Sequence, residues 1–163
     1  KPVPDQSGKG NIIEEKAMAV SQKWISLVES VDESLGLVNL EEAGVIVSGG
    51  RGMGGKEGFE ILYELADVLG GAVGSTRPPI ESGWISRPHQ IGQSGKTVKP
   101  GLCISCGISG ATQHVSGMRD SGFIVAVNRD EDAPIFDISN IGIVGNAMEI
   151  IPALTDELKR IKS

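Results

Sequence analysis

Apolar residues in this chain fall in short runs separated by glycine-rich turns, and these runs alternate with stretches at helical spacing. Val45-Ile46-Val47-Ser48, Ala72-Val73-Gly74-Ser75, Leu102 to Cys106, Phe123 to Asn128 and Ile141-Gly142-Ile143-Val144 read as strands. After the first run, Phe59, Leu62, Tyr63, Ala66 and Leu69 recur at i, i+3, i+4, i+7 and i+10, the inner stripe of a helix that Gly70-Gly71 ends. Val20, Trp24, Leu27, Val28 and Val31 predict a packing helix over about 17–31. After the last strand, Asn146 is placed to cap a helix with Ile150, Leu154 and Leu158 facing inward, and Pro152 is expected to split it. Residues 1–11 read as a linker, Ile12-Ile13 as the start of a strand and 35–40 as a connection. Thr76 to Thr97, rich in Pro, Gly and Ser, reads as a long loop.

Strands alternating with helices predict an α/β fold, a three-layer Rossmann-like parallel sheet with helices on both faces. Such sheets bind ligands beyond the carboxyl ends of their strands. The segments that follow the strands here, 49–55, 75–80, 107–114, 128–130 and 145–147, are rich in Gly, Arg, Ser, Thr, Asn and His. Their convergence points to one extended ligand. The strand at 102–106 empties into Gly107-Ile108-Ser109-Gly110-Ala111-Thr112-Gln113-His114, and Val115 and Met118 continue as a short helix. Free backbone N–H groups at such a turn attract an anion.

Composition narrows the choice. A chain of 163 residues is one domain, or one domain with a lead-in. Its net charge of −6 argues against a nucleic-acid partner. No apolar run is long enough to span a membrane, and no signal peptide is apparent. Two cysteines in an apolar strand suggest a reducing compartment. The first residue is Lys1, not Met, which leads to the expectation of a fragment, a processed chain or an excised domain.

Several familiar motifs are approached and not completed. Gly50-Arg51-Gly52-Met53-Gly54-Gly55 fits G-x-G-x-x-G, but Ser75-Thr76-Arg77 stands where a nicotinamide site wants an acid for the ribose. A tight turn with a phosphate role for Arg51 is the better reading. Gly95-Lys96-Thr97 resembles the end of a P-loop, but Gln90 occupies the place of its first glycine. Gly107-Ile108-Ser109-Gly110-Ala111 approaches a nucleophile elbow, yet no histidine follows an acid beyond Ser109. Cys103 and Cys106 form C-x-x-C inside a strand, where residues three apart face opposite sides, so two small buried residues are expected. Pro78-Pro79 are expected to push Arg77 out of helical geometry. That leaves Arg77 either meeting an anion or π-face or solvated at the surface. His114, in the first turn of a helix, either donates to a ligand carbonyl or caps and packs.

Taken in order, Val47 to Gly52, Gly74 to Pro78, Gln90 to Lys96, Gly107 to His114, Ile124 to Asn128, Ala133 to Phe136 and Gly142 to Asn146 resemble the C-terminal, FAD-binding domain of the electron-transfer flavoprotein alpha subunit. The resemblance covers about residues 40–160 and divides the chain into a linker and lead-in helix at 1–40 and an FAD-binding domain at 41–163. It implies that Arg77 lies against the isoalloxazine and favours its reduced, anionic forms, and that Ser94 hydrogen-bonds flavin N5, where the family often has threonine. It implies that His114 faces the C2 carbonyl and that Gln93 lines the same pocket. Ser109, Gly110, Ala111, Thr112 and Gln113 would sit by the ribityl–pyrophosphate part. Arg51 and Thr76 would hold phosphates or nearby flavin atoms. Asn128 and Asn146 would hold the adenosine end, with aspartate common in the family at Asn146. By the same resemblance the chain is an electron carrier and not an enzyme. It would work with a beta subunit and an acyl-CoA dehydrogenase-like donor or acceptor, in the cytoplasm or, in a eukaryote, the mitochondrial matrix. The alternatives are a nicotinamide-dependent oxidoreductase and a non-redox nucleotide-binding module on a similar sheet.

Overall fold

A computed structural model describes residues 39–162. The expected linker at 1–11, the strand start at Ile12-Ile13 and the helix over 17–31 lie outside the described residues.

Five parallel strands form one sheet: β1 (Val45–Gly49), β2 (Ala72–Ser75), β3 (Leu102–Cys106), β4 (Phe123–Asn128) and β5 (Ile141–Val144). Their spatial order is β2-β1-β3-β4-β5. The chain therefore winds outward in one direction from β1 to β2, then crosses back to β3 and continues the other way. The reversal lies between β1 and β3. Loops leaving neighbouring strands diverge there, which opens a crevice at their carboxyl ends.

The period of two divides the core. Val47, Val73, Ile104, Cys106 and Val127 face the side covered by α1 (Lys56–Leu69) and α4 (Ala147–Lys162), where Phe59, Leu62, Leu65 and Ile151 join them. Ile46, Ala72, Cys103 and Ile124 face the other side and pack on Leu40, Ile91, Val98 and Met118. The three layers are thus unequal. Two long helices cover one face. The other is covered by the connection to β3, the short α3 (Thr112–Val115) and a 3-10 turn at Pro134–Ile138.

Cys103 and Cys106 lie in different clusters, on opposite faces, and both are free thiols. Burial pushes both thiols up from their ordinary pKa, which suits packing and not redox chemistry.

Three local expectations need correction. Pro152 does not split α4, which runs unbroken from Ala147 to Lys162. The proline removes one rung near the helix start, while Ile151 and Thr155 on either side of it stay buried. The fully buried positions of α4 are Ala147, Ile151 and Thr155, with Ile150, Leu154 and Leu158 packed half-buried beside them. Arg77 is not held out of helical geometry. It opens the short helix α2 (Arg77–Glu81), because Pro78 and Pro79 occupy its first turn, where no intrahelical N–H is needed. Tyr63 is 41% exposed, at the edge of the α1 stripe against the His89 ring, and Leu65 is buried instead.

Candidate functional site

The crevice at the β1/β3 reversal is a cavity of about 850 Å³. Two glycine turns form its floor, one after β1 and one after β3, and they interlock. The Gly50 N–H donates to the Cys106 carbonyl at 2.9 Å and the Gly52 N–H to the Gly107 carbonyl at 3.0 Å. A Cβ at Gly50 would lie 2.3 Å from the Gly107 oxygen, and one at Gly107 would lie 2.7 Å from the Gly52 Cα. Gly107 also has φ +59°, a left-handed conformation that disfavours any side chain. Backbone packing thus accounts for the G-x-G spacing without a nicotinamide fingerprint.

The wall comes from the connection between β2 and β3. Ile91 drives its side chain into the core over Gly74, where an added Cβ would meet Ile91 Cδ1 at 2.4 Å. The Ile91 N–H donates to the Ser75 carbonyl at 2.9 Å, so the segment is pinned to the edge of the sheet. From there the loop closes on itself, with the Lys96 N–H donating to the Gln90 carbonyl at 2.8 Å. The Gln93 N–H donates to the Gln113 carbonyl at 2.7 Å and ties this loop to the turn after β3.

That tie brings His114 beneath the loop. His114 is buried, and its Nδ1 lies 3.0 Å from the Ile91 carbonyl oxygen. A carbonyl only accepts, so Nδ1 carries the proton. Burial lowers the pKa of the ring, partly offset by the bond to Ile91. The ring is therefore neutral with a lone pair at Nε2, and Nε2 is buried with no hydrogen-bond partner among the described residues. His114 itself lines the cavity, and a buried polar atom left unpartnered beside a cavity is one that a bound ligand can satisfy. Ser109 and Ala111, in the turn after β3, also line the cavity, and their N–H groups have no protein acceptor among the described residues.

Charge points the same way. The chain is acidic overall, yet Arg51, Arg77 and Arg129 line the cavity against a single acid, Asp130. That local excess of positive charge suits an anionic ligand such as a diphosphate. Arg77 also pairs with Glu81, Nε to Oε1 at 2.7 Å, in an exposed contact of little energetic weight.

Of the residues singled out from the sequence, Arg51, Thr76, Arg77, Gln93, Ser94, Ser109, Ala111, Gln113, His114 and Asn128 line this cavity. Asn128 is engaged structurally as well, with Nδ2 donating to the Ile108 carbonyl at 2.9 Å and Oδ1 accepting from the Asp130 N–H at 3.1 Å. Gly110, Thr112 and Asn146 are not among the cavity-lining residues. Gly110, at φ +92°, packs against Ile135, and Thr112 is an exposed residue at the start of α3. Asn146 caps α4, its Oδ1 accepting from the Met148 N–H at 3.1 Å and its Nδ2 donating to Glu149 at 2.9 Å.

Sequence reading gave no role to Gln90, Ile91, Arg129 or Asp130, all of which line the cavity. Arg129 and Asp130 directly follow a strand end, which was the available signal. Gln90 and Ile91 stand in the Gln90–Lys96 stretch that carries the resemblance, but their residue types mark no role, because their place depends on a loop anchored to β2.

Residues 39–119 match the family model described as the electron transfer flavoprotein FAD-binding domain. The chain belongs to the electron transfer flavoprotein alpha-subunit family. FAD is the cofactor of this domain. The electron transfer flavoprotein subunit alpha of Thermoanaerobacterium thermosaccharolyticum is 58% identical over 130 residues, covering 80% of this chain and 39% of that protein. The protein of the same name from Megasphaera elsdenii is 47% identical, covering 99% of this chain and 49% of that one. A mitochondrial relative from Dictyostelium discoideum is 46% identical, covering 93% of this chain and 42% of its own length. The chain thus spans half or less of the length of these relatives. Among the described residues no helix is long and apolar enough to cross a membrane, and no group of His, Cys, Asp or Glu could hold a metal ion.

Proposed function

We propose that this chain carries electrons through FAD held in the cavity between the turns after β1 and β3, as the cofactor-bearing part of an alpha–beta heterodimer. It would take electrons from a dehydrogenase of the acyl-CoA type and pass them to a downstream acceptor, and it would form no product of its own. A reducing compartment, cytoplasmic or mitochondrial in a eukaryote, belongs to this reading, which the two free buried thiols support. The observation that carries the proposal is the buried, unpartnered Nε2 of His114, a residue that lines the cavity, together with that cavity's excess of arginines.

When bound, FAD supplies reversible electron uptake at its ring system. The protein's part is to hold and tune it. Arg51 and the N–H groups of Ser109 and Ala111 would bind the diphosphate, with Thr76 and Gln113 beside them. Arg77, from the connection after β2, would place its guanidinium against the ring, where it favours added negative charge. Ser94 and Gln93 would hydrogen-bond ring atoms from the loop pinned by Ile91. His114 can donate from Nε2 only as imidazolium, since Nδ1–H is committed to the Ile91 carbonyl. It would take up a proton where it meets a ligand oxygen bearing negative charge. Asn128 would serve the adenosine end through the Nδ2 hydrogen that Ile108 leaves available.

The test is to purify the 163-residue chain co-expressed with a beta subunit, desalt it and record the visible spectrum. A yellow protein with flavin absorption and near-stoichiometric FAD is expected. A colourless protein that takes up no added FAD, or one that binds NADH in its place, overturns the reading.

A further inference from the structure

Resting on the reading that this cavity holds FAD, we propose that Gln90 is a positioning residue, whose side-chain amide fixes the Ser94 hydroxyl as a hydrogen-bond donor to the ligand. Gln90 Nε2 donates to Ser94 Oγ at 2.8 Å. An amide nitrogen only donates, and a hydroxyl has one proton and two lone pairs. With one lone pair occupied by the amide, the Ser94 proton is left for another acceptor. A serine on an exposed loop otherwise turns its proton toward nearby backbone carbonyls or water. Here that freedom is removed by a neighbour only 7% exposed.

The geometry around the pair is rigid. Gln90 and Ser94 face each other across a closed loop, in which the Gly95 N–H donates to the Gly92 carbonyl at 2.9 Å and the Gly92 N–H to the Lys96 carbonyl at 3.1 Å. The loop is tight enough that a Cβ at Gly95 would lie 2.4 Å from the Gln90 carbonyl oxygen. Gln90 is bridged to Ser75 at the edge of the sheet, so the amide is fixed relative to the strands and not only to its own loop. Both Gln90 and Ser94 line the cavity. The same loop is tied through Gln93 to the turn bearing His114. The loop and the turn thus hold the Ser94 hydroxyl and the His114 ring in fixed relation. Under the proposed reading both meet ligand acceptors, Ser94 through its directed proton and His114 through Nε2 once it has taken up a proton.

The test is a double-mutant cycle on Gln90→Glu and Ser94→Ala in the chain co-expressed with a beta subunit, read as FAD dissociation constants and flavin reduction potential. Glutamate only accepts, so it draws the Ser94 proton away from the ligand, and FAD binding is expected to weaken about tenfold. In the Ser94→Ala background the same change should weaken binding only about twofold and lower the potential only by what its added negative charge contributes, less than in the parent, where the Ser94 proton is redirected as well. Gln90→Met removes the amide without adding charge. It should shift both readouts while the serine hydroxyl is present and neither in the Ser94→Ala background, which keeps the test open if the glutamate variant fails to fold. Equal penalties in both backgrounds overturn the positioning role while leaving FAD binding intact. A parent protein that takes up no FAD overturns the underlying reading and this inference with it.

Discussion

The Nδ1 atom of His114 lies 3.0 Å from the main-chain oxygen of Ile91, and the opposite ring nitrogen is buried without a partner among the described residues. This pairing fixes the tautomer of the ring and makes its charge depend on what fills the cavity. Burial lowers the His114 pKa in the folded chain below its ordinary value. The unfolded chain therefore binds more protons at mildly acidic pH, so stability rises with pH there. The FAD-free chain should lose stability as pH falls from about 7 toward 5, through and below the unfolded histidine range. His114→Gln should flatten part of that slope. Urea unfolding of both proteins at several pH values measures it; identical slopes would remove His114 from the account.

Ile91 joins the core to this histidine. Its side chain is buried with Ile46, Val98 and Met118, and its carbonyl holds the imidazole. Ile91→Ala should cost about 2–5 kcal/mol of stability. It should also weaken FAD binding more than Val98→Ala does, since Val98 is buried in the same cluster but does not line the cavity. Unfolding midpoints together with FAD titrations of the two variants make the comparison. Equal effects on binding would mean that the core acts on the site only through general stability.

The turns after β1 and β3 make a second mechanical point. Gly107 combines φ +59° with a backbone contact to Gly52 that leaves no room for a Cβ. Gly107→Ala should destabilise the chain by about 1–3 kcal/mol or more and should weaken FAD binding. Gly44→Ala is the control, because a Cβ there meets nothing within 4 Å. Thermal unfolding should separate the two variants clearly.

The sheet was legible in the sequence because its strands are short, apolar and bounded by glycine, a pattern few other elements imitate. The turn at 107–114 was legible for the same reason. What escaped was whatever depends on a partner distant in the chain. Tyr63 fits a helical stripe by spacing, but the stripe is wider than the surface it covers, so the residue at its edge stays exposed. Arg77 before two prolines reads as extended, yet the first turn of a helix tolerates proline. Gln90 lacks any local signature, since its role follows from a bridge to Ser75 and a bond to Ser94. Asn146 carried two readings, cap and ligand contact, and spacing alone does not choose between them.

Arg77 is the charged group on which redox tuning should depend most. Arg77 lines the cavity, and among the described residues its guanidinium pairs only with Glu81, in an exposed contact. Such a pair contributes little, so the side chain can exchange it for a ligand at small cost. Arg77→Ala should lower the potential of the bound flavin, because removing a cation disfavours added negative charge. Glu81→Gln should leave the potential nearly unchanged. Redox titration against a reference dye measures both, and an unchanged potential in the alanine variant would remove Arg77 from the tuning role.

Asn146 separates structure from binding. Its Oδ1 caps α4 through the Met148 N–H, its Nδ2 reaches Glu149, and it is not among the residues lining the cavity. A helix cap of this kind contributes about 1 kcal/mol. Asn146→Ala should therefore lower stability by about that amount, while Asn146→Asp, which keeps the accepting oxygen, should retain it. If capping is its whole role, FAD affinity stays within about twofold of the parent in both variants, less than the loss of one hydrogen bond to a ligand would produce. Affinity falling about tenfold in the alanine variant and recovering with aspartate would instead assign Asn146 to the adenosine end, with the α4 N-terminus moving toward the cofactor when it binds.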